Sequence, residues 1–357
     1  MYKIIHCITT ICRGGAENQL LILVKEQIKN GNEVIVIYLK GAPELRQEFI
    51  KCGAEVLDFL VGKNPIFQVM ILKKYLVDNR AVLHAHLPRA ELLCAISNSG
   101  NRFIISKHNS EKFFPKAPNG ISRLLSLLVL QKASQCICIS DAVGKFLKSI
   151  GELRSDTDYR VVHYGISLKN NKSVNSKNVD NKNFEKFIVG TIGRIVEQKD
   201  YPTLLKAFAI FHNEYANSEL LIVGDGDLKQ EVIRFAQALG IQENIKWFGR
   251  TEDVFSILKK FDVFVLASKY EGFGLVLLEA MQTRVPIVAA DNSAISEVLG
   301  LNYPGLFKTG DAQDLCIKIK EVQFTPMDLV EIMDKRLIKF DSREMYKKID
   351  YIYGLLI

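Results

Sequence analysis

The chain has 357 residues, enough for two domains of ordinary size, and its 48% hydrophobic and 24% charged content excludes a disordered protein. Its seven cysteines lack the spacing of a disulfide framework, and no signal peptide or bilayer-spanning apolar segment is evident, so we expect a cytoplasmic protein. The net charge of +7 comes from residues 1–165, where 22 basic residues face 14 acidic ones. This excess suits an anionic lipid surface, a phosphorylated acceptor or simply a lysine-rich solvated surface, whereas no basic and aromatic pattern indicates nucleic acid.

The first half of the chain alternates short apolar runs with helical patterns. It begins with a predicted strand at 3–9, a glycine turn at 10–15, a helix at 16–30 and a strand at 33–39. Further strands are predicted at 81–85, 103–106, 136–140 and 161–163. This alternation is typical of a parallel sheet covered by helices on both faces, and it predicts a first domain at 1–166.

The second half repeats this alternation after a polar segment, 167–186, which we interpret as an exposed loop or linker. Strands are predicted at 187–192, 220–223, 245–248, 262–267, 286–289 and 306–308. They predict a second domain at 187–341, followed by a helical tail, 342–357, that we expect to pack back on the first domain. The predicted fold class is therefore α/β, with two doubly wound, Rossmann-like domains that face a cleft through the carboxyl ends of their strands.

Two carboxylates, Glu271 and Glu279, flank a glycine turn formed by Gly272 and Gly274. An apolar strand precedes the turn, and an apolar helix that contains Glu279 follows it. A carboxylate among such neighbours is costly unless it is hydrogen-bonded, and a helix start behind glycines offers N–H groups to an anion. An anion cradle beside two hydroxyl acceptors favours a phosphorylated sugar as the ligand.

The segment 193–200 follows the first strand of the second domain and contains Arg194 and Lys199. Two fixed cations at the carboxyl end of a strand can neutralise a diphosphate leaving group without a metal. Seen alone, the same two residues could also be ordinary surface cations on a loop.

A second glycine turn, at Gly14 and Gly15, opens the first predicted helix and could bring backbone close to a phosphate. The turn lacks the G-x-G-x-x-G fingerprint, and Lys40 follows the second strand where a dinucleotide-binding protein has an acid. We therefore discount a nicotinamide or flavin enzyme, and an ordinary tight turn is an equal alternative.

Three histidines lie near predicted strand ends. For His84 a structural, hydrogen-bonded role is the preferred interpretation, whereas His86 and His108 are as well suited to contact substrate hydroxyls. Further ligands at metal-binding spacing cannot be assigned to them.

The sequence Asp225-Gly226-Asp227 has the form of a D-x-D metal motif, but Asp227 with Gln230 is better explained as a helix capping box. The mostly apolar helix predicted at 121–130 is flanked by basic residues. It is interpreted either as a core helix or as a helix that rests on a membrane surface.

Together these segments resemble the retaining glycosyltransferases of family 4, which have the two-domain GT-B architecture, over nearly the whole chain. The most specific matches are the family's E-x7-E element, from Glu271 to Glu279, and Gly193-Arg194 with Lys199. Supporting matches are 14–15, 221–226, 248–249 and 162–166. The segment 162–166 resembles the family's V-x-N-G-I-D element but has Tyr164 and then Ser167 in place of Asn and Asp, which leaves the expected hinge contacts open.

The resemblance implies a role for each matching residue in a nucleotide-sugar site. Glu271 and His108 would act at the reacting sugar. The donor diphosphate would be held by Arg194, Lys199, Gly15 and the N–H groups of Gly274 and Leu275, and the ribose and sugar by Glu279, Gly272 and Phe273. Candidates for the base region are Arg250, Thr251 and Val254, and the candidate for acceptor contact is His86. No metal is expected.

The predicted function is transfer of a hexose or N-acetylhexosamine from a nucleotide-diphosphate sugar, UDP-linked by preference, with retention of anomeric configuration. The predicted acceptor is a saccharide or a polyprenyl-diphosphate-linked saccharide in bacterial polysaccharide biosynthesis, such as O-antigen or capsule. We expect a cytoplasmic protein whose basic first domain contacts the inner face of an anionic membrane. The alternatives are a sugar-nucleotide 2-epimerase of the same architecture and a non-catalytic nucleotide-sugar-binding protein.

Overall fold

Two parallel β-sheets organise the chain, one in each of its two structural units. The computed structural model describes residues 1–168, 186–324 and 326–356. The first unit comprises Met1–Ser167 with Phe340–Ile357, and the second comprises Leu168–Lys339. Apart from its ends, the polar segment predicted at 167–186 lies outside the described residues.

In the first unit, the described strands form one sheet in the order β3-β2-β1-β4-β5-β6-β7, with every neighbouring pair parallel. The strands are β1 (Lys3–Ile8), β2 (Glu33–Tyr38), β3 (Glu55–Leu57), β4 (Val82–His86), β5 (Arg102–Lys107), β6 (Gln135–Cys138) and β7 (Arg160–Val161). The helices are α1 (Gly15–Lys29), α2 (Arg46–Lys51), α3 (Pro65–Asp78), α4 (Pro88–Ser97), α5 (Asn119–Lys132), α6 (Asp141–Ser149) and, from the end of the chain, α14 (Ser342–Gly354).

In the second unit, the described strands form a sheet in the order β10-β9-β8-β11-β12-β13, again wholly parallel. The strands are β8 (Phe187–Ile192), β9 (Ser218–Val223), β10 (Ile245–Gly249), β11 (Val263–Leu266), β12 (Ile287–Asp291) and β13 (Leu306–Lys308). The helices are α7 (Tyr201–Glu214), α8 (Lys229–Ala238), α9 (Val254–Leu258), α10 (Leu275–Thr283), α11 (Ser293–Leu299), α12 (Ala312–Phe324) and α13 (Pro326–Leu337).

Both sheets are buried between helices, which explains why their central strands read as continuous apolar runs. In β4 and β9 every residue is buried. Each sheet also reverses its direction of growth once, between β1 and β4 in the first unit and between β8 and β11 in the second. Such a reversal opens a crevice at the carboxyl ends of the strands, so it marks where a ligand is expected in each unit.

Helix α14 packs against α1, and a backbone pairing brings it there. The N–H of Ile166 donates to the carbonyl of Phe340 (2.8 Å), and the N–H of Ser342 donates to the carbonyl of Ile166 (3.0 Å). A Cβ on Gly165 would lie 2.7 Å from the Cα of Ser342, so only glycine allows this approach.

The structure corrects two local expectations. Strand β3 was not predicted, because three residues are too few to show a strand period. The capping box at Asp227 was wrong, because α8 begins only at Lys229 and no side chain caps it. The N–H of Leu228 instead donates to the carbonyl of Ile195 (3.2 Å), which ties this turn to the loop after β8.

Candidate active site

An ion pair between a half-buried lysine and a buried glutamate lies at the point where the second sheet reverses. Lys199, in the loop after β8, places its Nζ 2.5 Å from Oε1 of Glu271, in the loop after β11. The same carboxylate oxygen accepts a hydrogen bond from the hydroxyl of Ser268 (2.7 Å). The sequence places Lys199 and Glu271 far apart, and the adjacency of β8 and β11 brings them together.

Gln198 joins the two loops that carry this pair. Its side-chain amide donates to the carbonyl of Tyr270 (2.8 Å) and lies 3.5 Å from Oε2 of Glu271. Its backbone carbonyl accepts the N–H of Lys269 (2.8 Å). These bonds leave Glu271 8% exposed and fix the orientation of its carboxylate.

Arg194 begins the same loop as Lys199, and its side chain is exposed. Within the described residues the guanidinium of Arg194 has neither a hydrogen bond nor an ion pair, so it is available to a ligand. Burial of a diphosphate against it would form charge-assisted, two-point hydrogen bonds.

Glycines allow the loops after β8 and β9 to touch. A Cβ on Gly224 would lie 1.9 Å from the carbonyl oxygen of Gly193, and a Cβ on Gly226 would lie 2.3 Å from that of Ile195. This close approach allows the N–H of Gly193 to donate to the carbonyl of Val223 (2.9 Å). The backbone that carries Arg194 is therefore held by the neighbouring loop.

Helix α10 starts directly behind the ion pair. Its N-cap, Gly274, has φ +84° and ψ +57°, a left-handed conformation that favours glycine, and no side chain caps the helix. The N–H of Leu275 therefore has no intrahelical acceptor and is suited to bind an anion, whereas that of Leu277 already donates to the carbonyl of Gly274 (2.9 Å).

Glu279 lies half-buried one turn into α10 and has no hydrogen-bond partner among the described residues. Burial raises the pKa of its carboxyl to about 7. Once ionised, this carboxylate is suited to accept hydrogen bonds from hydroxyl groups of a ligand. Of its neighbours in the predicted sugar site, Gly272 is half-buried, whereas Phe273 is 2% exposed, and contact of either residue with a sugar stays a prediction.

The predicted base region follows β10. Arg250 is exposed there, and the Thr251 hydroxyl accepts the N–H of Asp253 (3.1 Å). Val254 opens the short helix α9, whose N-terminus is capped by the Asp253 carboxylate. These contacts order the turn, and its role with a base stays a prediction.

In the first unit, α1 begins at Gly15, behind the N-cap Gly14. The carboxylate of Glu17 folds back over this turn and accepts the Thr10 hydroxyl (2.6 Å). A Cβ on Gly14 would lie 2.4 Å from that carboxylate, which explains the first glycine. Contact of Gly15 with a phosphate stays a prediction.

His86 and His108 lie at the ends of neighbouring strands, β4 and β5, and bond to each other at 3.0 Å. His86 is 2% exposed and His108 half-buried. Burial, with the nearby Lys107 charge, lowers the pKa of His108 to about 3, and burial also lowers that of His86 well below its usual value. His84 is a hydrogen-bonded structural residue, as predicted, with Tyr353 at 2.7 Å and Ser106 at 2.8 Å.

The other ring nitrogen of His86 is held by His6 (2.9 Å), and that of His108 by Tyr164 (2.5 Å). Neither histidine therefore has a ring nitrogen without a partner. Contact of His86 with an acceptor stays a prediction, and it would require one of these bonds to be exchanged.

Sequence reasoning missed Gln198 and Ser268, the two side chains that orient Glu271. The only signal for them was position, since Gln198 precedes Lys199 and Ser268 directly follows a strand. It also missed His6 and Gln27, whose importance depends on strand pairing that places His6 opposite His84.

Comparisons with known proteins agree with this architecture. A family model described as "Glycosyl transferases group 1" matches residues 173–336, and one described as "Glycosyltransferase Family 4" matches residues 13–170. The capsular polysaccharide biosynthesis glycosyltransferase CapH of Staphylococcus aureus is 25% identical over 84% of this chain and 84% of its own.

Two further comparisons extend this agreement. An α-1,4-N-acetyl-D-galactosaminyltransferase of Campylobacter jejuni, named for a saccharide linked to PP-undecaprenol, is 26% identical over 86% of this chain and 84% of its own. Among solved structures, Anabaena HepE in complex with UDP-glucose superimposes with a TM-score of 0.81 at 20% identity, over 99% of this chain and 100% of HepE. The fold is thus GT-B, with two Rossmann-like parallel sheets.

Proposed function

We propose, because this chain belongs to the family 4 glycosyltransferases and is a glycosyltransferase of the GT-B type, that it transfers a hexose or N-acetylhexosamine from a UDP-sugar to a saccharide acceptor with retention of configuration. The acceptor is a saccharide or lipid-linked saccharide of a bacterial polysaccharide pathway. The observation that carries the proposal is the cluster of cations, acids and helix-start amides where the second sheet reverses.

The leaving diphosphate is stabilised by the chain's own residues, without a metal. Arg194 supplies an exposed guanidinium with no partner in the described residues, and Lys199 supplies an ammonium from the same loop. The amides of Gly274 and Leu275 add the positive end of α10. Since Lys199 is paired with Glu271 before the donor arrives, the diphosphate shares the charge of Lys199, and the carboxylate of Glu271, held by Lys199 and Ser268, faces the sugar.

The donor and acceptor classes follow from the relatives. HepE is described in complex with UDP-glucose, and the Campylobacter jejuni relative is named for an acceptor carried on diphospho-undecaprenol. We extend both to this chain as a proposal. The leaving phosphate accepts the acceptor's proton on the same face of the sugar, which retains the anomeric configuration.

The identity of the donor is testable by ligand stabilisation. A panel of nucleotide sugars is added to the full chain, and the correct donor is expected to raise the melting temperature most, because it binds only the folded state. Incubation of that donor with candidate acceptors, followed by NMR, should show UDP release and an α-linked product. Conversion of the donor without acceptor would indicate the epimerase, and binding without any conversion would indicate a non-catalytic protein.

The raised pKa of Glu279 predicts that UDP binding is coupled to proton release. Its pKa of about 7 means that the free protein holds this proton in mildly acidic solution. Ribose hydroxyls donate more strongly to the ionised carboxylate than to the neutral carboxyl, so they lower its pKa and expel the proton. The wild type should therefore release close to one proton more than Glu279→Gln at about pH 6 and no more than the variant above about pH 8.5.

Calorimetry of UDP binding in two buffers of different ionisation enthalpy measures this difference. Protons that UDP itself takes up or releases are the same for both proteins, so they cancel when the value for the variant is subtracted from that of the wild type. Equal proton release from wild type and Glu279→Gln at about pH 6 would show that Glu279 does not bind the ribose.

Two helices of the first unit place apolar side chains outward and polar ones inward. In α5, Ser122 and Ser126 are fully buried, whereas Ile121, Leu124 and Leu128 are 45–58% exposed. The buried Ser122 hydroxyl donates to Glu152 (2.6 Å), which explains the inward serines but not the outward apolar residues.

Helix α3 shows the same inversion. Gln68 is 1% exposed and donates to two backbone carbonyls, whereas Ile66, Phe67 and Met70 are 54–74% exposed. Helix α4 contacts both α3 and α5 and exposes Ile96. Segments 59–80 and 112–132, which contain the two outer helices, carry eight basic residues and one acidic residue.

We assign this face, formed by α3, α4 and α5, to the surface of an anionic bilayer, and call it the membrane face. Exposed apolar residues in segments rich in lysine and arginine match a lipid interface in both hydrophobicity and charge. Within the described residues, no helix is both long and apolar enough to cross a bilayer, so the assignment concerns the bilayer surface.

Vesicle sedimentation tests the membrane face. The wild type should bind phosphatidylglycerol-containing vesicles, bind phosphatidylcholine vesicles weakly and lose affinity as salt rises. Leu124→Gln with Leu128→Gln should weaken binding about tenfold or more, because two apolar contacts are lost. The matched control is Leu301→Gln with Ile338→Gln, two exposed apolar residues of the second unit. Equal binding by both double variants, or no binding by wild type, would refute the assignment.

A further inference from the structure

Four polar side chains and a tyrosine form a continuous hydrogen-bonded row within the first unit, which we call the imidazole row. It runs from Gln27 on α1 to His6 on β1 (2.9 Å) and to His86 on β4 (2.9 Å). It continues to His108 after β5 (3.0 Å) and ends at the hydroxyl of Tyr164 (2.5 Å). Each imidazole uses both of its ring nitrogens in the row.

The hydrogen bonds of the imidazole row all run from donor to acceptor in the same direction, toward Gln27. The carbonyl oxygen of Gln27 can only accept, so Nε2 of His6 must carry the proton and Nδ1 must accept. A neutral imidazole has one donor and one acceptor, so each ring that accepts at Nδ1 requires the next ring to donate through Nε2. His86 and His108 accordingly donate through Nε2, and Tyr164 donates its hydroxyl to Nδ1 of His108.

Gln27 also has a partner outside the row. Its amide nitrogen donates to the hydroxyl oxygen of Tyr353 (3.4 Å), which leaves the Tyr353 hydroxyl able to donate to Nδ1 of His84 (2.7 Å). Nε2 of His84 then donates to Ser106 (2.8 Å). Burial keeps the rings neutral, since it lowers the pKa of His6 to about 4 and that of His108 to about 3.

We infer that Gln27, His6 and His86 are positioning residues that hold His108 in the Nε2-protonated tautomer, so that the ring edge facing Tyr164 accepts hydrogen bonds and cannot donate them. The inference rests on the proposed function and on the role that the family resemblance implies for His108, at the reacting sugar. A sugar hydroxyl that joins or replaces Tyr164 at this nitrogen must then be a donor. Tyr164, which stands where the family motif has Asn, occupies the position when no sugar is bound.

A metal ion is the competing explanation for His6, His84 and His86, whose ring nitrogens lie within 4.8 Å of one another. All six of these nitrogens already have a partner at 3.0 Å or less. The cluster is therefore satisfied by hydrogen bonds, and an ion would have to break several of them.

Nitrogen-15 NMR of the histidine rings in the full chain tests the inference directly. At neutral pH, His6, His86 and His108 should each show the Nε2-protonated tautomer alone. Gln27→Leu removes the acceptor that sets the direction, so these three rings should become tautomer mixtures. The matched control is Ser106→Ala, which removes a partner of His84 and should leave the row unchanged.

Three results would overturn the inference: Nδ1 protonation of His108 in the wild type, unchanged tautomers in Gln27→Leu, or stoichiometric Zn²⁺ binding that shifts the His6, His84 and His86 signals. If Gln27→Leu does not fold, the wild-type spectrum still decides. For the donor established above, kcat of Gln27→Leu should fall about ten- to a hundredfold while Ser106→Ala stays near wild type. The NMR spectrum needs no substrate, so it tests the tautomers of the imidazole row independently of whether the proposed function is correct.

Discussion

Glu271→Gln is expected to lower the rate of sugar transfer about a hundred- to a thousandfold, the loss typical of removing one preorganised charged group from a reaction centre. Glu271 is 8% exposed and is fixed by Ser268 and Lys199. Glutamine keeps the shape but not the charge, so it can neither balance Lys199 nor stabilise positive charge that develops on the sugar. The initial rate of UDP release in the presence of donor and acceptor measures the effect.

The control for this variant is Glu197→Gln, in the same loop as Lys199. Glu197 is an exposed acid that pairs with Lys269 at the surface, so its charge is screened and its loss should change the rate less than about twofold. Near-normal turnover by Glu271→Gln, with a melting temperature like that of wild type, would show that Glu271 does not act at the reaction centre.

Arg194→Ala is expected to weaken UDP binding about ten- to a hundredfold, since charge-assisted hydrogen bonds each contribute about 1.5–3 kcal/mol. The free protein should be unaffected, because the Arg194 side chain is exposed and has no partner among the described residues. Arg194→Lys should recover only part of the affinity, since an ammonium cannot make the paired contact of a guanidinium. Calorimetric titration with UDP measures both variants.

Lys269→Ala is the matched control for Arg194→Ala. Lys269 is an exposed cation close to the same site, and it is held by Glu197 at 3.2 Å. Its loss should change UDP affinity less than about twofold. Equal losses in the two variants would mean that UDP responds to the overall charge of the surface and not to Arg194.

Much of the fold was predictable because parallel strands that are buried on both faces leave continuous apolar runs. The strand predicted at 262–267 corresponds to β11 (Val263–Leu266), and the one at 187–192 corresponds to β8 without change. Strand β3 was missed because three residues cannot establish a pattern. The capping box at Asp227 failed because backbone contact between two loops determines where α8 begins.

The candidate site was only partly predictable. Glu271 and Lys199 are visible as charged residues after strands, but their pairing depends on β8 and β11 being neighbours. Local sequence does not encode strand order. Likewise, His86 could be recognised at a strand end, but its burial depends on His6 from another strand.

The central claim is that the reversal point of the second sheet binds the diphosphate of the donor, and a crystal structure of the full chain with UDP tests it most directly. We predict that the diphosphate oxygens lie about 3 Å from the Arg194 guanidinium, Lys199 Nζ and the N–H of Leu275, with the ribose hydroxyls on Glu279. A diphosphate bound elsewhere, with Arg194 and Lys199 unchanged, would contradict the account.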